Sequence, residues 1–310
     1  MIKIQKNVPL SKHSNYKIGG QARYFFEAKS IKDLKEAVVW ARENKQKIFI
    51  LGGGTNLLFS DAGFKGLVLK IDIQHLTANG LRIRVGAGVL MPDLLKFAIK
   101  QSFSGLEWAG GLPGTLGGAI RGNAGAFRGE IKDNIESVES FNIQTLKVKT
   151  YSDKSCQFGY RTSFFKKKDG EFIVTGAVLK LKKGNPKAIK FAIQDKIDFR
   201  RAKHPLEYPN TGSTFKNVDV KKFPKASLVQ VRHVIKPDPF PVIPTAYLIS
   251  EAGLKGLKRG KAMVSPKHPN FIVNLGGAKA SHVKAVIKAV KAGVKRKFGI
   301  TLEVEVQIVS

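Results

Sequence analysis

Hydrophobic positions along this chain switch between a helical and a strand period, and the switches mark its elements. Ile31, Leu34, Val38 and Ala41 recur at helical spacing, with Ser30 placed as an N-cap and Asp33 three residues on. Residues 24–28, 47–51 and 66–71 read as strands around that helix. They form a β-α-β unit whose strand 47–51 runs out into Gly52-Gly53-Gly54-Thr55-Asn56. Leu81, Ile83 and Val85 alternate as in a strand, and a helix is predicted over 92–100. Between 105 and 125 glycine is dense and periodicity fails, which predicts a long loop or a set of tight turns. Strands follow over 136–143, 146–151 and 172–181, then a helix over 186–203 with Ile189, Ile193 and Ile197 on one stripe.

Residues 204–214, with two prolines, read as a linker, and 234–244, with four, as an extended surface insertion. Ser281 is placed to cap an amphipathic helix carrying Val283, Val286, Ile287, Val290, Val294 and Phe298, stopped at Gly299. In the terminal strand 300–308, Ile300, Leu302, Val304, Val306 and Ile308 share one face; Thr301, Glu303, Glu305 and Gln307 share the other. Strand clusters mixed with helices predict an α+β fold of three small units.

Composition narrows the class. At 310 residues the chain is long enough for two or three cores. No apolar run approaches the roughly 20 residues of a bilayer span, and the N-terminus lacks the apolar stretch of a secretory signal. The single cysteine, Cys156, excludes an intramolecular disulfide and a cysteine metal cluster and reads as a packing residue; the histidines show no metal-ligand spacing, so no metal is expected. A cytoplasmic monomer with no membrane partner is the expectation. Net charge is +31, from 54 basic and 23 acidic residues, which makes nucleic acid the rival partner. Against it, 42 of the 54 are Lys rather than the bidentate Arg, the charge is spread along the chain, and no zinc-finger, RRM or basic-zipper pattern occurs. No nucleic-acid partner is therefore expected.

Chemistry concentrates in the glycine segments. Gly52-Gly53-Gly54-Thr55-Asn56 is neither G-x-G-x-x-G nor a Walker loop. Three small residues after a strand let successive amides close around a phosphate, yet the same residues also suit a tight turn. The second segment, from Leu106-Glu107-Trp108-Ala109-Gly110-Gly111 through Asn123-Ala124-Gly125-Ala126, is too glycine-dense for a simple connection. Two such segments about fifty residues apart suit a ligand with two ends, such as a dinucleotide, and Trp108 beside the run would border it.

Five motifs then occur in order: Gly52-Gly53-Gly54-Thr55-Asn56; Gly111-Leu112-Pro113-Gly114-Thr115-Leu116-Gly117-Gly118-Ala119; Tyr160-Arg161-Thr162-Ser163; Gly212-Ser213-Thr214-Phe215-Lys216-Asn217; and Leu302-Glu303-Val304-Glu305-Val306. Spanning nearly the whole chain, the series resembles the UDP-N-acetylenolpyruvoylglucosamine reductases, in the shorter form that lacks an extra tyrosine-bearing loop. The resemblance implies a non-Rossmann, PCMH-type FAD-binding fold of the vanillyl-alcohol-oxidase kind. It divides the chain into FAD subdomain 1 (1–75 with the returning strand 300–310), FAD subdomain 2 (76–203) and a substrate domain (204–299). It implies FAD as bound cofactor, NADPH as co-substrate and a UDP-sugar as substrate. Gly52, Gly53, Gly54, Thr55, Asn56, Pro113, Gly114, Thr115, Gly117, Gly118, Asn123 and Gly125 would hold FAD. Arg161 would grip the substrate carboxylate, Ser213 donate a proton and Glu305 stabilise an enol-like intermediate. Alternation cannot choose between Glu303 and Glu305; the resemblance chooses Glu305. Tyr160, Lys203, Lys216, Asn217 and His268 would contact substrate.

Three departures from the family pattern stand out. Val218 follows Phe-Lys-Asn where proline is usual, Phe127-Arg128 replaces Tyr-Gly, and 221–244 is long. A flavin oxidase on another small molecule remains the alternative reading within the same fold.

Overall fold

A computed structural model describes residues 2–310. By their contacts these form two compact units. One comprises the residues up to Val8 with Ala22–Gly54 and Lys65–Arg200; the other comprises Pro9–Gln21, Thr55–Phe64 and Arg201–Ser310. Both mix helices with sheets, the α+β class read from the sequence.

The first unit holds two large sheets besides two short two-stranded ones. One is four-stranded in the order Gln5–Pro9, Gln21–Ala28, Phe64–Ile71, Ile48–Leu51. Its last two strands run parallel, with Ile48 opposite Leu67. Helix α1 (Ile31–Glu43) connects into it. The Ser30 hydroxyl accepts the Asp33 amide at 3.1 Å, meeting one otherwise unmet donor of the first turn, while the Asp33 carboxylate accepts the Lys29 amide just before the cap at 2.8 Å. Leu34, Ala37, Val38 and Ala41 are buried, and Trp40 meets Tyr24 edge-on at 5.0 Å. The second sheet is antiparallel: Val148–Ser152, Ile135–Asn142, Phe172–Lys180, Arg82–Gly86, Leu76–Asn79. Its central strand Phe172–Lys180 buries Ile173, Val174, Ala177 and Leu179, both faces apolar, as a strand covered on two sides requires. Helix α2 (Met91–Lys100) adds Met91, Leu94, Leu95 and Ala98 to the same core.

The glycine-dense stretch departs from expectation. It contains a helix, α3 (Leu116–Gly122), capped by the Thr115 hydroxyl accepting the Gly118 amide at 3.4 Å. Leu116, Ala119 and Ile120 point inward at helical spacing; three interspersed glycines mask that period. Gly117 is required there, because a Cβ would stand 2.9 Å from that of Ala87. Helix α4 (Pro186–Lys203) has the bounds read from the sequence and buries Ile189 and Ile193. The Asn185 carboxamide caps it, accepting the amides of Lys187 at 2.9 Å and Ala188 at 3.3 Å. Cys156 is buried in this unit, and burial pushes its thiol up to about 12.

In the second unit, helix α5 (Ala280–Phe298) lays Val283, Val286, Ile287, Val290, Val294 and Phe298 into a core with Ala262 and Val264 of one antiparallel sheet, Lys258–Arg259, Ala262–Val264, Ile272–Asn274. It ends at Gly299 with φ 75°, the left-handed turn that glycine takes at no steric cost.

Three expectations fail here in whole or in part, each for a non-local reason. Ser281 is not the cap, for the helix starts one residue earlier. The Asp61 carboxylate, 219 residues away, accepts the Ala280 and Ser281 amides at 2.6 and 3.0 Å. Residues 234–244 are a surface segment only in part: 236–239 and 241 are exposed, while Val242–Ile243 pairs with Val218–Asp219 and is buried. The terminal strand is short, Gln307–Val309, parallel to Leu57–Phe59. Its alternation slips, so that Leu302, Val306 and Val309 are buried and Ile308 is 43% exposed.

Candidate active site

Within the first unit the two glycine segments meet backbone to backbone. A Cβ on Gly53 would lie 2.7 Å from Gly114 Cα, and one on Gly52 would lie 2.9 Å from Thr115 Oγ1. No side chain fits between them, which is the physical reason for glycine here. Gly54 and Gly114 have φ of 66° and 100°, so the turns themselves also need it. Around the contact, Gly53, Pro113 and Gly118 are exposed; a Cβ on Gly118 would meet only Thr115 Oγ1, at 3.6 Å. The result is a patch of bare main chain on two adjoining segments, which fits the pyrophosphate of a dinucleotide.

Other glycines of the run serve the protein's own packing. Gly110 lies against Ile193 O and Lys196 Cβ of α4, Gly111 against the Arg200 side chain, and Gly129 against Trp108. Arg200 Nε donates to Gly110 O at 2.8 Å, fastening that turn to the helix. Trp108 is correspondingly a core residue, 7% exposed, rather than a ring bordering a ligand. Asn123 is fully buried in a left-handed conformation at the end of α3. Its carboxamide donates to Gly159 O at 3.0 Å and accepts the Lys132 amide at 3.4 Å.

Arg161 is held against the second segment. Its Nη2 donates to Gly125 O at 2.9 Å, and a Cβ on Gly125 would approach Nη1 to 3.3 Å, so Gly125 makes room for the guanidinium. The Tyr160 ring lies 5.1 Å from the guanidinium carbon. Arg161 has φ 55°, a strained conformation for a non-glycine residue, anchored where Lys166 Nζ donates to its carbonyl at 2.8 Å. The Phe127-Arg128 pair forms the tip of the hairpin joining Gly125–Ala126 to Gly129–Glu130, both residues left-handed as a two-residue turn demands. The Phe127 ring lies beneath Lys196 and Arg200, each at 5.3 Å.

The second unit brings Ser213 and Glu305 together through the backbone. Phe215 and Val304 form an isolated antiparallel bridge; the Glu305 amide donates to Thr214 O at 2.8 Å and the Lys216 amide to Glu303 O at 3.0 Å. Asn56 joins the same place. Its carboxamide donates to Glu305 O at 3.3 Å, and its carbonyl accepts the Gln307 amide at 3.1 Å. Two residues that the sequence reading missed hold the Ser213 loop. Asn270, 3% exposed, accepts the Thr214 amide with its carbonyl at 2.7 Å and pairs both ways with the Phe215 backbone through its carboxamide, at 3.0 and 2.8 Å. Tyr16, fully buried, donates to Ile272 O at 2.9 Å and faces the Thr211 and Thr214 hydroxyls; burial raises its phenol well above the usual range. A lone Asn or Tyr has no local signal for such a role.

The structure also distinguishes the two glutamates. Glu303 is mostly exposed and ion-pairs with Lys216 at 2.5 Å, whereas Glu305 is half-buried. Asn217 Oδ1 accepts the Thr245 amide at 3.2 Å. Lys203 is exposed at the end of α4. His268 packs against His204 at 5.3 Å and Phe271 at 4.7 Å, its Nδ1 buried without a partner; burial and Lys236 lower its pKa. Arg161 belongs to the first unit, Ser213 and Glu305 to the second.

Comparison with known proteins agrees with this geometry. Residues 22–144 match the family model of an FAD binding domain, so the chain is of the flavin-dinucleotide-binding class. Residues 204–309 match the UDP-N-acetylenolpyruvoylglucosamine reductase C-terminal domain. The chain is 38% identical over 308 residues to the UDP-N-acetylenolpyruvoylglucosamine reductase of Carboxydothermus hydrogenoformans, covering 98% of itself and 93% of the relative. It is 37% identical over 309 residues to the enzyme of that name from Listeria monocytogenes, covering 99% and 95%. The solved UDP-N-acetylenolpyruvylglucosamine reductase of Thermus caldophilus matches over 100% of both chains at 30% identity and a TM-score of 0.79. The chain belongs to the UDP-N-acetylenolpyruvoylglucosamine reductase family. Among the described residues no helix is long and apolar enough to cross a membrane.

Proposed function

We propose that this chain reduces the enolpyruvyl group of UDP-N-acetylenolpyruvoylglucosamine to the lactyl ether of UDP-N-acetylmuramate, a step of peptidoglycan precursor synthesis, with NADPH as reductant. FAD, when bound, would supply hydride transfer, with NADPH as the source and the methylene carbon of the substrate's C=C bond as the acceptor. The electron pair of that bond moves onto the α carbon and the adjoining carboxylate, and a proton then completes the α C–H bond.

Each protein group answers one demand of that sequence. The guanidinium fork of Arg161 suits a carboxylate gaining negative charge. Ser213 gives its hydroxyl proton to the α carbon, a strongly basic acceptor, and regains one from solvent. Glu305, half-buried beside it, hydrogen-bonds the enol-like oxygen in protonated form. The glycine patch of Gly52, Gly53, Gly54, Pro113, Gly114, Gly117 and Gly118, with Thr115 as its cap and Thr55 and Asn56 beside it, holds the pyrophosphate. Tyr160, Lys203, Lys216, Asn217 and His268 contact the UDP-sugar. The four-stranded and five-stranded sheets lie in two FAD subdomains, residues up to 75 with the returning 300–310, and 76–203, and 204–299 is the substrate domain.

The observation that carries this reading is the Phe215–Val304 bridge, which sets Ser213 and Glu305 on neighbouring backbone although 92 residues separate them. The test is Ser213→Ala. Bleaching of the flavin by NADPH should persist while product formation falls at least a hundredfold, the scale of a lost general acid. Normal turnover would sink the assignment. An oxidase of another small molecule would instead bleach with its own substrate and ignore the enolpyruvyl UDP-sugar.

A further inference from the structure

The positive charge is not evenly laid over the molecule. Residues 252–302 contain twelve of the 54 Lys and Arg and none of the 23 Asp and Glu. Other acid-free stretches are shorter, among them 1–26 and 220–237 with five Lys and Arg each, while α1 carries Asp33, Glu36 and Glu43 among its cations and α4 carries Asp195 and Asp198. Lys267 and Lys297 reach carboxylates outside the segment, Glu207 at 3.8 Å and Glu251 at 3.7 Å. The rest have none within it.

Helix α5 arranges part of this charge in a line. Lys284, Lys288, Lys291 and Lys295 follow at spacings of four, three and four, which keeps them within an arc of about 60° over about 16 Å of helix. Lys284, Lys288 and Lys295 are exposed and Lys291 half-buried, while the opposite face is the core stripe of Val283, Val286, Val290 and Val294. Arg296 and Lys297 lie off that line, about 110° and 150° round the helix from its centre, with Lys297 turned to Glu251, and exposed Lys258 and Arg259 lie on the strand packed against the helix. Like charges at these spacings destabilise a helix, so the pattern is one that folding alone would not favour.

We infer that this face of the second unit docks on an anionic lipid surface. Ten of the twelve cations are Lys, the point charge that suits headgroup phosphates; the bidentate fork used for bases and phosphodiesters is scarce. Between the lysines stand Ala285, Ala289 and Ala292, and the helix's one aromatic, Phe298, is buried, so there is no platform on which bases would stack. For the same reason nothing inserts into the acyl layer. Binding is electrostatic, at headgroup level, and reversible by salt.

The experiment is co-sedimentation of the FAD-loaded protein with vesicles of phosphatidylcholine containing one-third phosphatidylglycerol, at low and at near-physiological salt. Wild type should sediment with these and not with pure phosphatidylcholine. The quadruple variant Lys284→Gln, Lys288→Gln, Lys291→Gln, Lys295→Gln should lose partitioning on the order of several hundredfold, at about one kcal/mol per cation. A control with the same charge change scattered over exposed residues of the first unit, Lys32→Gln, Lys35→Gln, Lys65→Gln and Lys100→Gln, should keep most of it. Flavin absorbance and turnover in solution should match wild type in both, which separates this result from failure of the reductase reading. Three outcomes overturn the inference: no sedimentation with anionic vesicles, equal loss in the scattered control, or displacement from vesicles by an equal charge concentration of duplex DNA.

Discussion

The two glycine segments have similar composition and different reasons for it. Gly53 is small because a Cβ there would stand 2.7 Å from Gly114 Cα of the other segment, Gly52 because one would stand 2.9 Å from Thr115 Oγ1, and Gly54 because its φ is 66°. In residues 110–129 most are small because the protein itself fills the space: α4 against Gly110 and Gly111, Ala87 against Gly117, Trp108 against Gly129. Glycine density therefore reports close approach, and only the fold says of what. A substitution where the protein fills the space, as at Gly53 or Gly110, should damage the unit that carries it; one at exposed Gly118 should damage only the binding surface.

The sharpest way to break this contrast is Gly110→Ala. With a Cβ 2.5 Å from Ile193 O and 2.8 Å from Lys196 Cβ, α4 must move, and the cost should be on the order of 1–3 kcal/mol. Thermal unfolding should show it even in FAD-free protein; an unchanged Tm would remove the packing argument. Next comes Asn270→Ala, which leaves the Phe215 amide and carbonyl without their partner at a cost of about 2 kcal/mol. It should slow product formation while leaving the rate of flavin bleaching by NADPH unchanged, since it acts through the Ser213 loop.

Gly118→Ala should do the reverse of Gly110→Ala: its Cβ would meet only Thr115 Oγ1, at 3.6 Å, so the FAD-free protein should be as stable as wild type while FAD affinity falls about tenfold or more, of the order of 1.4 kcal/mol. Titration of FAD against the stripped protein measures it. Asp61→Asn keeps one acceptor for the distant cap of α5 but removes the charge and the second acceptor, a loss of at most about 1 kcal/mol because the carboxylate is solvent-exposed and screened. Burial pushes the Asp61 pKa up, but the Ala280 and Ser281 amides, the Ser281 hydroxyl and Lys279 outweigh it, and the net shift is downward. Its stabilisation is therefore fully present above the unfolded value near 3.9 and is lost as pH falls through the folded one. The difference in Tm between wild type and Asp61→Asn should shrink as the pH drops below about 4. The smallest effect is Gly122→Ala. Nothing lies within 4 Å of its Cβ position at the end of α3, and stability should rise by about half a kcal/mol.

Several features were legible without coordinates because they rest on neighbours in sequence. The Ser30 cap with Asp33, the bounds and stripe of α4, the Gly299 stop and the α+β class all follow from spacing within a turn or two. The motif series likewise led to the family, since Arg161, Ser213 and Glu305 each lie in a short recognisable string. What misled was also local. Ser281 has the composition of a cap, four prolines hide the short buried strand Val242–Ile243, and Trp108 beside glycines looks like a ligand wall.

Tertiary structure decided the rest, and the reason is the same at every point: the deciding partner is distant in sequence. Asp61 caps a helix 219 residues on, Val242 and Ile243 find a strand at Val218–Asp219, and Trp108 fills the space under Gly129. Glu303 and Glu305, equivalent by alternation, differ because Lys216 takes one while the Phe215–Val304 bridge carries the other to the Ser213 loop. Spacing along the chain sets which residues share a face of one element. Which face meets what depends on packing between elements, and no local period encodes it.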